Sequence, residues 1–318
     1  MPLTSRIKFM GLVATAGVLA CIASLVGFLG RHWWGFELAS HFRVQYALAL
    51  ALAASVFAIR RRWVWAAIFA AVALLDAIPL LSRLPTGAEA QASADHPVLR
   101  AMLANVNSAN RDYPRIRATL LAQQPDFAVL LEVTPWLLDR LVDLADRYPY
   151  RIAAPQEDNF GIALLSRHPF LRADIAQLGP PGLPSIRAEF QINGSRLTLL
   201  GTHPLPPIGP QLARDRNEQL TKLAEVARST RQPLLLLGDL NISPWSPWFE
   251  RLLADSGLRD SGYGRGIQPT WPVGWPPFWI PIDHALHSAG IRVLRRATGP
   301  DLGSDHYPVI VDFQVVGP

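Results

Sequence analysis

The polar residues able to do chemistry in this 318-residue chain sit where short apolar runs stop. Leu234-Leu235-Leu236-Leu237 runs into Gly238-Asp239-Leu240-Asn241, and Phe127 to Leu131 runs into Glu132. Leu197 to Leu200 leads to Thr202-His203, Ile282 is followed by Asp283-His284, and Gly303-Ser304-Asp305-His306 precedes the last apolar run. A strand that ends in Glu, Asp, Asn or His holds that side chain at the rim of a sheet, with its position fixed from beneath. Repeated in one chain, the pattern supplies what a phosphoester hydrolase requires: charge neutralisation, an activated water and help for the leaving oxygen. Oxygen ligands without thiolates favour Mg²⁺ or Mn²⁺ over a structural zinc. Carboxylates also supply a base, and imidazoles exchange protons near neutral pH. No GxSxG elbow, Gly-rich phosphate loop or HExxH helix offers a competing chemistry.

Taken singly, each of these residues has an ordinary structural reading. Asp239-Leu240-Asn241 reads as a turn, His203 before Pro204 as a loop histidine, and Ser304-Asp305 as a cap. The conjunction of all of them carries the functional reading.

The elements that must position these residues follow from the patterning beyond residue 98. Val98–Val106, Phe127–Val133, Gly161–Ser166, Leu234–Leu237, Ile282–His287 and Pro308–Val315 read as strands. Ile186–Ile192 and Leu197–His203 flank Asn193-Gly194, the strongest short hairpin signal. Tyr113–Gln124, Pro135–Arg147 and Gly209–Thr230 carry helical spacing. Hairpins mixed with strand–helix–strand units imply an α/β sandwich with mixed sheets, not a purely parallel one.

The ordered set resembles the endonuclease/exonuclease/phosphatase, or deoxyribonuclease I-like, superfamily. The likeness rests on Asn105-Val106-Asn107, Pro125-Asp126 through Glu132, Gly161 through Arg167, Thr202-His203, Gly238-Asp239-Leu240-Asn241, Ile282-Asp283 and Gly303-Ser304-Asp305-His306, and covers residues 98–318. It implies a four-layer α/β sandwich, two packed mixed sheets flanked by helices, and the following roles. Glu132 would be the principal metal ligand, assisted by Asn105 or Asn107 and by Asp305. Asp239 would orient or deprotonate the attacking water and Asn241 would steady the phosphoryl oxygens. His203 and His306 would flank the phosphate, either of them serving the leaving group, with Asp283 fixing the tautomer of His306. The chain departs from the family pattern at Leu131, where Gln is usual, and at Asn107, where Asp is frequent, which leaves one or two metals open. The usual acidic partner of the first histidine has no counterpart, and Asn159 is the residue nearest to that place in the pattern.

Before the sandwich the composition changes. Up to Pro85 there are eight Lys/Arg against two acids, whereas the remainder carries 22 basic and 23 acidic residues. The excess positive charge therefore belongs to the first quarter, and the catalytic part offers no overall electrostatic footprint for a polyanion. Phe9–Gly30 runs 22 residues without a charge, Val44–Ile59 runs 16, and Trp63–Ser82 is interrupted only by Asp76. These read as three transmembrane helices in a membrane domain over 1–84, followed by a linker over 85–97 and a catalytic domain over 98–318. Placing Arg60-Arg61-Arg62 in the cytoplasm, with Arg6 and Lys8, makes this a multi-pass cell-membrane protein whose catalytic domain is extracytoplasmic. Arg31 and Arg43 oppose that placement weakly. Asp76, beside Ile78-Pro79, reads as an interfacial carboxylate. The single cysteine, Cys21, excludes a disulfide framework and a thiolate metal site.

Two tryptophan-rich segments, Pro244–Phe249 and Thr270–Pro281, flank the catalytic carboxylates and read as stiff, apolar loops. Trp245, Trp271, Asn159 and Arg187 are the substrate-binding candidates. With the lipid bilayer as a partner, these features favour a lipid-linked phosphate, either a polyprenyl phosphate or diphosphate or a phospholipid. The architecture is similar to that of VanJ-type membrane phosphatases of the same superfamily. The alternative is a tethered nuclease, with Arg111, Arg115, Arg117, Arg167 and Arg187 forming a basic groove for nucleic acid. A scaffold that keeps the fold without the chemistry is a third reading, opposed by the intact set from Asn105 to His306. Nothing in the sequence calls for an obligate protein partner.

Overall fold

The computed structural model describes residues 9–86 and 90–317. Arg6, Lys8 and linker positions 87–89 lie outside the described residues. The chain forms two compact units, one holding the N-terminal segment to Ser82 together with Trp245–Pro247, the other holding the remainder.

The first unit contains α1 (Phe9–Gly27), α2 (Trp34–Ser40), α3 (Arg43–Ile59) and α4 (Trp63–Leu80). The helices pack on one another through Leu50, Ala53, Phe57, Phe69 and Val72, while α1, α3 and α4 keep large apolar residues such as Leu19, Leu52 and Leu74 exposed, as in segments solvated by lipid. Two helices, Phe9–Gly27 and Trp63–Arg83, are long and apolar enough to cross a membrane; α2 and α3, bent by 64°, add a third only if they form one broken span. The count is therefore two or three. Asp76 is held within the helix bundle. It is fully buried inside this unit, and its carboxylate accepts from the Arg43 guanidinium at 2.9 Å. A charge in an apolar bundle is tolerated when an opposite charge meets it, and here the basic residue at the start of α3 does so.

The second unit is built on two six-stranded sheets. The strands are β1 (Leu99–Asn105), β2 (Phe127–Leu131), β3 (Tyr150–Ala154), β4 (Ile162–Ser166), β5 (Phe170–Gln177), β6 (Pro184–Ile192), β7 (Ser195–Thr202), β8 (Leu234–Asp239), β9 (Arg259–Asp260), β10 (Asp283–His287), β11 (Ile291–Thr298) and β12 (Val309–Val315). One sheet runs β11-β12-β1-β2-β4-β3 and the other β5-β6-β7-β8-β10-β9. Each has one parallel pair at its centre, β1 with β2 and β7 with β8, and antiparallel neighbours outside it. Both sheets are therefore mixed.

Strand alternation builds the layers. Leu103, Val129 and Leu164 meet Ala188, Leu199 and Leu237 in the core between the sheets. The opposite face of the first sheet, with Met102, Ala128 and Leu130, packs on α5 (Tyr113–Gln123) and α6 (Pro135–Arg140). Leu200, Leu234 and Leu236 on the second sheet pack on α7 (Pro210–Ser229) and α8 (Pro247–Ser256). Helices on both sides of two sheets make the four layers. The Asn193-Gly194 turn joins β6 to β7, and both residues take positive φ, 45° and 84°, as a tight two-residue hairpin requires.

The helix expected over Pro135–Arg147 ends at Arg140 and continues as a 3-10 turn over Leu141–Leu144. The segment read as a loop from Pro244 becomes α8 from Pro247, with Phe249 and Leu252 buried. Four strands had no clear apolar pattern: β3, β5, β9 and β11 carry Arg, Asp or Gln at half-exposed positions of sheet edges, where one face stays wet. Residues before β1 are tied down as well: the Gln314 amide accepts from Ser93 N–H at 2.9 Å and donates to the carbonyls of Ser93 and His96.

Candidate active site

Register decides which strand ends meet. Asn105 closes β1 opposite Leu131 of parallel β2, so Glu132 emerges beside it. In the other sheet Thr202 lies opposite Gly238, and Asp239 opposite Asp283 of antiparallel β10. Leu103 pairs with Val309, which brings the residues just before β12, Asp305 and His306, to the same rim. Two sheets thus deliver four carboxylates and two imidazoles to one edge of the sandwich.

Their contacts are mutual. The Asn105 amide donates to Glu132 at 2.8 Å and to Asp239 at 3.2 Å, bridging the sheets. The second Glu132 oxygen accepts from Ser108 N–H at 3.0 Å. Asp305 accepts from the Asn107 amide at 2.8 Å and from the Trp271 indole N–H at 3.1 Å. His306 Nδ1 lies 2.9 Å from Asp283, and His306 Nε2 lies 3.7 Å from Asp239. His203 Nε2 lies 3.5 Å from the same Asp239 oxygen. Asn241 donates its N–H to Asp239 at 3.0 Å and its amide to Pro204 O at 3.0 Å. Asp239, Asp283 and His306 each offer one ligand atom, all within 4.8 Å of one another.

Three of these residues hold left-handed backbone: Asn107 (φ 61°), Glu132 (φ 61°) and Asn241 (φ 53°). Asparagine visits this region readily, whereas for glutamate it costs on the order of 1–2 kcal/mol. The hydrogen bonds on both Glu132 oxygens and the Thr134 cap on α6, two residues on, hold it there.

Burial and charge set the protonation. Burial alone lowers the His306 imidazole, but Asp283, Asp239 and Asp305 outweigh it and hold it at about 10. Burial raises Asp239, and His306, His203 and the Asn241 N–H more than reverse this, to about 2. His203 is raised too, since Asp239 and Glu132 exceed the effect of its burial. Among the described residues the cluster's ion pairs are all with these two histidines; neither Glu132 nor Asp305 meets a Lys or Arg. Four hard carboxylates with so little compensating charge, on a donor set of oxygens, fit a divalent cation.

The substrate-binding candidates divide. Trp271 joins the site through Asp305. Asn159 reaches it at one remove, through the Ser108 hydroxyl; it does not meet His203, whose ring is faced by Phe160 at 5.5 Å. His203 Nδ1 is buried without a partner among the described residues. Arg187 stays away, because Ile186 and Ala188 face the inter-sheet core and alternation sends Arg187 to the other face, beside Glu189. Trp245 is buried in the first unit, where its indole donates to the His41 carbonyl at 3.0 Å. Ser108, Phe160 and Thr270, which accepts from Asp283 N–H at 3.2 Å, carried no signal in the sequence. Ser108 could have been found only by its place one residue after Asn107.

The sequence profile of the Endonuclease/Exonuclease/phosphatase family matches residues 102–306, which contain every one of these residues. The chain belongs to that family. It is thereby a metal-dependent phosphoric-ester hydrolase. Leu131, where the sequence departs from the family pattern, is fully buried at the end of β2. Among solved structures, the human Nocturnin catalytic domain with bound sulfate superposes with a TM-score of 0.56 at 18% identity, over 69% of this chain and 97% of that one. Sphingomyelinase C from Streptomyces griseocarneus gives 0.52 at 20%, over 68% and 99%. A mannosyl-6-phosphatase of Bacteroides thetaiotaomicron gives 0.54 at 20%, over 68% and 99%. At these identities the likeness is one of fold. No curated protein sequence matches at a significant level.

Two stability predictions arise here. A Cβ on Gly161 would lie 1.9 Å from the Val133 carbonyl, which follows Glu132. Gly161→Ala is expected to cost about 2–3 kcal/mol and to lower activity by displacing that segment, read as a fall in melting temperature. His284, beside the site on β10, is buried, donates to Ile242 O at 2.8 Å, and is pushed down to about 4, chiefly by burial. Its folded value lies below the unfolded 6.5, so the stability it contributes is complete above pH 6.5 and is lost as pH falls through 4. The expected loss is about 3 kcal/mol. A His284→Gln protein, which keeps the donor without the titration, should show a shallower decline in unfolding midpoint over that window.

Proposed function

We propose that this family member is a membrane-anchored, Mg²⁺- or Mn²⁺-dependent hydrolase of a lipid-linked phosphate, a polyprenyl phosphate or diphosphate or a phospholipid. The observation that carries this reading is the segment 267–282, which has no charged residue and is bonded into the site. Trp271 reaches Asp305 through its indole, and Val273 N–H donates to the Asp305 carbonyl at 2.8 Å. Farther along, Trp275 is 65% and Phe278 52% exposed. Large apolar side chains left in the open mark a surface that meets lipid or an apolar ligand. The same chain carries at least two helices able to cross a bilayer.

In this reading Glu132 and Asp305, with Asn105 and Asn107, hold the metal. When bound, the ion neutralises phosphoryl charge and polarises the phosphoryl oxygen. His306, kept protonated by Asp283 and Asp239, has both ring nitrogens occupied; it donates to the phosphate or the departing oxygen instead of ligating. Asp239, ionised throughout the neutral range, orients and deprotonates the attacking water. Asn241 and His203 hold the phosphoryl oxygens, and Asp283 positions His306.

The nuclease alternative draws less support. Arg115, Arg117, Arg167 and Arg187 each face a carboxylate, of Asp301, Asp143, Asp126 and Glu189, and Arg111 donates to the carbonyls of Ser108 and Asn110. Purified full-length protein is expected to hydrolyse polyprenyl diphosphate or phospholipid with Mg²⁺ or Mn²⁺, and to leave DNA and inositol phosphates largely intact. Cleavage of DNA alone, with the steep salt dependence of a polyanion contact, would sink the lipid reading. Three crossings with an extracytoplasmic catalytic domain complete the proposal. With Cys21 replaced, a cysteine introduced near Ser93 should react with impermeant reagents from outside the cell.

A further inference from the structure

The two sheets do not close at one edge. The second sheet ends in β9, only two residues long, while the first ends in β11, which has eight. Most of β11 thus lacks an opposite strand, and a cavity of about 600 Å³ opens there, within the size range of small-molecule sites. It lies away from the active site: His287 in its wall and Asp283 at the catalytic rim are opposite ends of β10, roughly 13 Å apart at about 3.3 Å per residue.

The lining is basic over an apolar floor. Arg259, Arg265 and Arg292 contribute to it, against a single acid, Asp260, while burial holds the His287 imidazole below its ordinary value. That acid is already matched: the buried Arg83 guanidinium meets it at 2.6 Å. Arg265 is held in place by donating to the carbonyls of Ser261 and Val293. Arg259 and Arg292 are exposed at the cavity and make no ion pair among the described residues. Leu258, Ile291 and Val293 form the apolar wall beneath them. Two guanidinium groups without an anion, above apolar side chains, suit a phosphate attached to an apolar body.

Arg83 names the source of that ligand. It closes the apolar run Trp63–Arg83, and it both pairs with Asp260 and lies over the Tyr263 ring at 5.2 Å. Arg83 is thus both the last residue of a candidate span and the partner of the acid in the cavity wall. We propose that the gap between β9 and β11 binds the phosphate headgroup of an anionic membrane phospholipid.

The test uses the full-length chain in uncharged detergent, with unfolding followed by tryptophan fluorescence. Dioctanoyl phosphatidylglycerol is expected to raise the unfolding midpoint saturably, and dioctanoyl phosphatidylcholine or inorganic phosphate at equal concentration to do so far less. Arg259→Gln with Arg292→Gln should weaken the apparent affinity roughly tenfold or more while leaving the lipid-free midpoint unchanged. An equal response of that double variant, or an equal effect of phosphatidylcholine or of phosphate alone, would overturn the proposal. A response lost in Glu132→Gln but kept in the arginine variant would place the lipid in the active site and overturn it as well. Because the readout is binding, it stands or falls apart from the substrate assigned to the catalytic rim.

Discussion

Replacing Glu132 by Gln is expected to lower kcat/KM by about three orders of magnitude or more, roughly 4 kcal/mol of transition-state stabilisation, and to raise the Mg²⁺ concentration needed for the residual activity. The residue is only 9% exposed, its carboxylate accepts one hydrogen bond on each oxygen, and among the described residues no Lys or Arg pairs with it. It is therefore a buried negative charge stabilised by two neutral donors, an arrangement that favours a cation. Glutamine preserves the volume and removes the charge. It also turns an NH₂ group toward either the Asn105 amide or the Ser108 N–H, donor against donor. A Mg²⁺ titration of initial rates separates the two components, and a variant with unchanged half-saturation would remove Glu132 from the metal site.

The second large effect belongs to Asp239. Asp239→Asn is expected to cost about 10²–10⁴ in kcat, the range for losing a positioned general base, with a smaller shift in Mg²⁺ half-saturation than Glu132→Gln produces. The residue stands between the sheets, meeting Asn105 from one and His203, His306 and Asn241 from its own side of the site. Its charge is one of those that hold His306 at about 10. Removing a neighbouring negative charge lowers the imidazole's proton affinity, so the alkaline limb of the rate profile should move to lower pH in the variant. A profile that merely scales down, with its limbs unmoved, would break the link between Asp239 and the proton on His306.

The two variants separate the roles because the geometry does. Glu132 follows the last strand residue of a parallel pair in one sheet, and Asp239 ends the equivalent strand of the other. Asn105, donating to both, is the bond that fixes their spacing.

Much of this site was legible in the chain itself, for a physical reason. A buried strand must be apolar until it leaves the sheet, so Leu234–Leu237 before Asp239 and Phe127–Leu131 before Glu132 announce strand ends without any knowledge of the partner strand. The order of those ends, together with Asn193-Gly194 and the uncharged N-terminal runs, carried the fold class, the family and the presence of apolar helices. What the order of strand ends does not contain is the direction of side chains on half-buried elements. Arg187 was drawn toward the site by its type, yet one step of alternation from Ile186 turns it away. Trp245 follows the GDLN turn closely and still buries its indole against His41. The partner of Asp76 was not legible, because Arg43 is 33 residues away, at the start of another helix. Edge strands such as β9 and β11 satisfy their hydrogen bonds with polar side chains facing water, so no apolar period marks them; the gap they leave, with its unmatched arginines, exists only once the two sheets are stacked. The sequence by itself determined which residues end strands and what chemistry they can do. The tertiary structure alone decided which of them meet, because register and the stacking of sheets join residues that the chain keeps far apart.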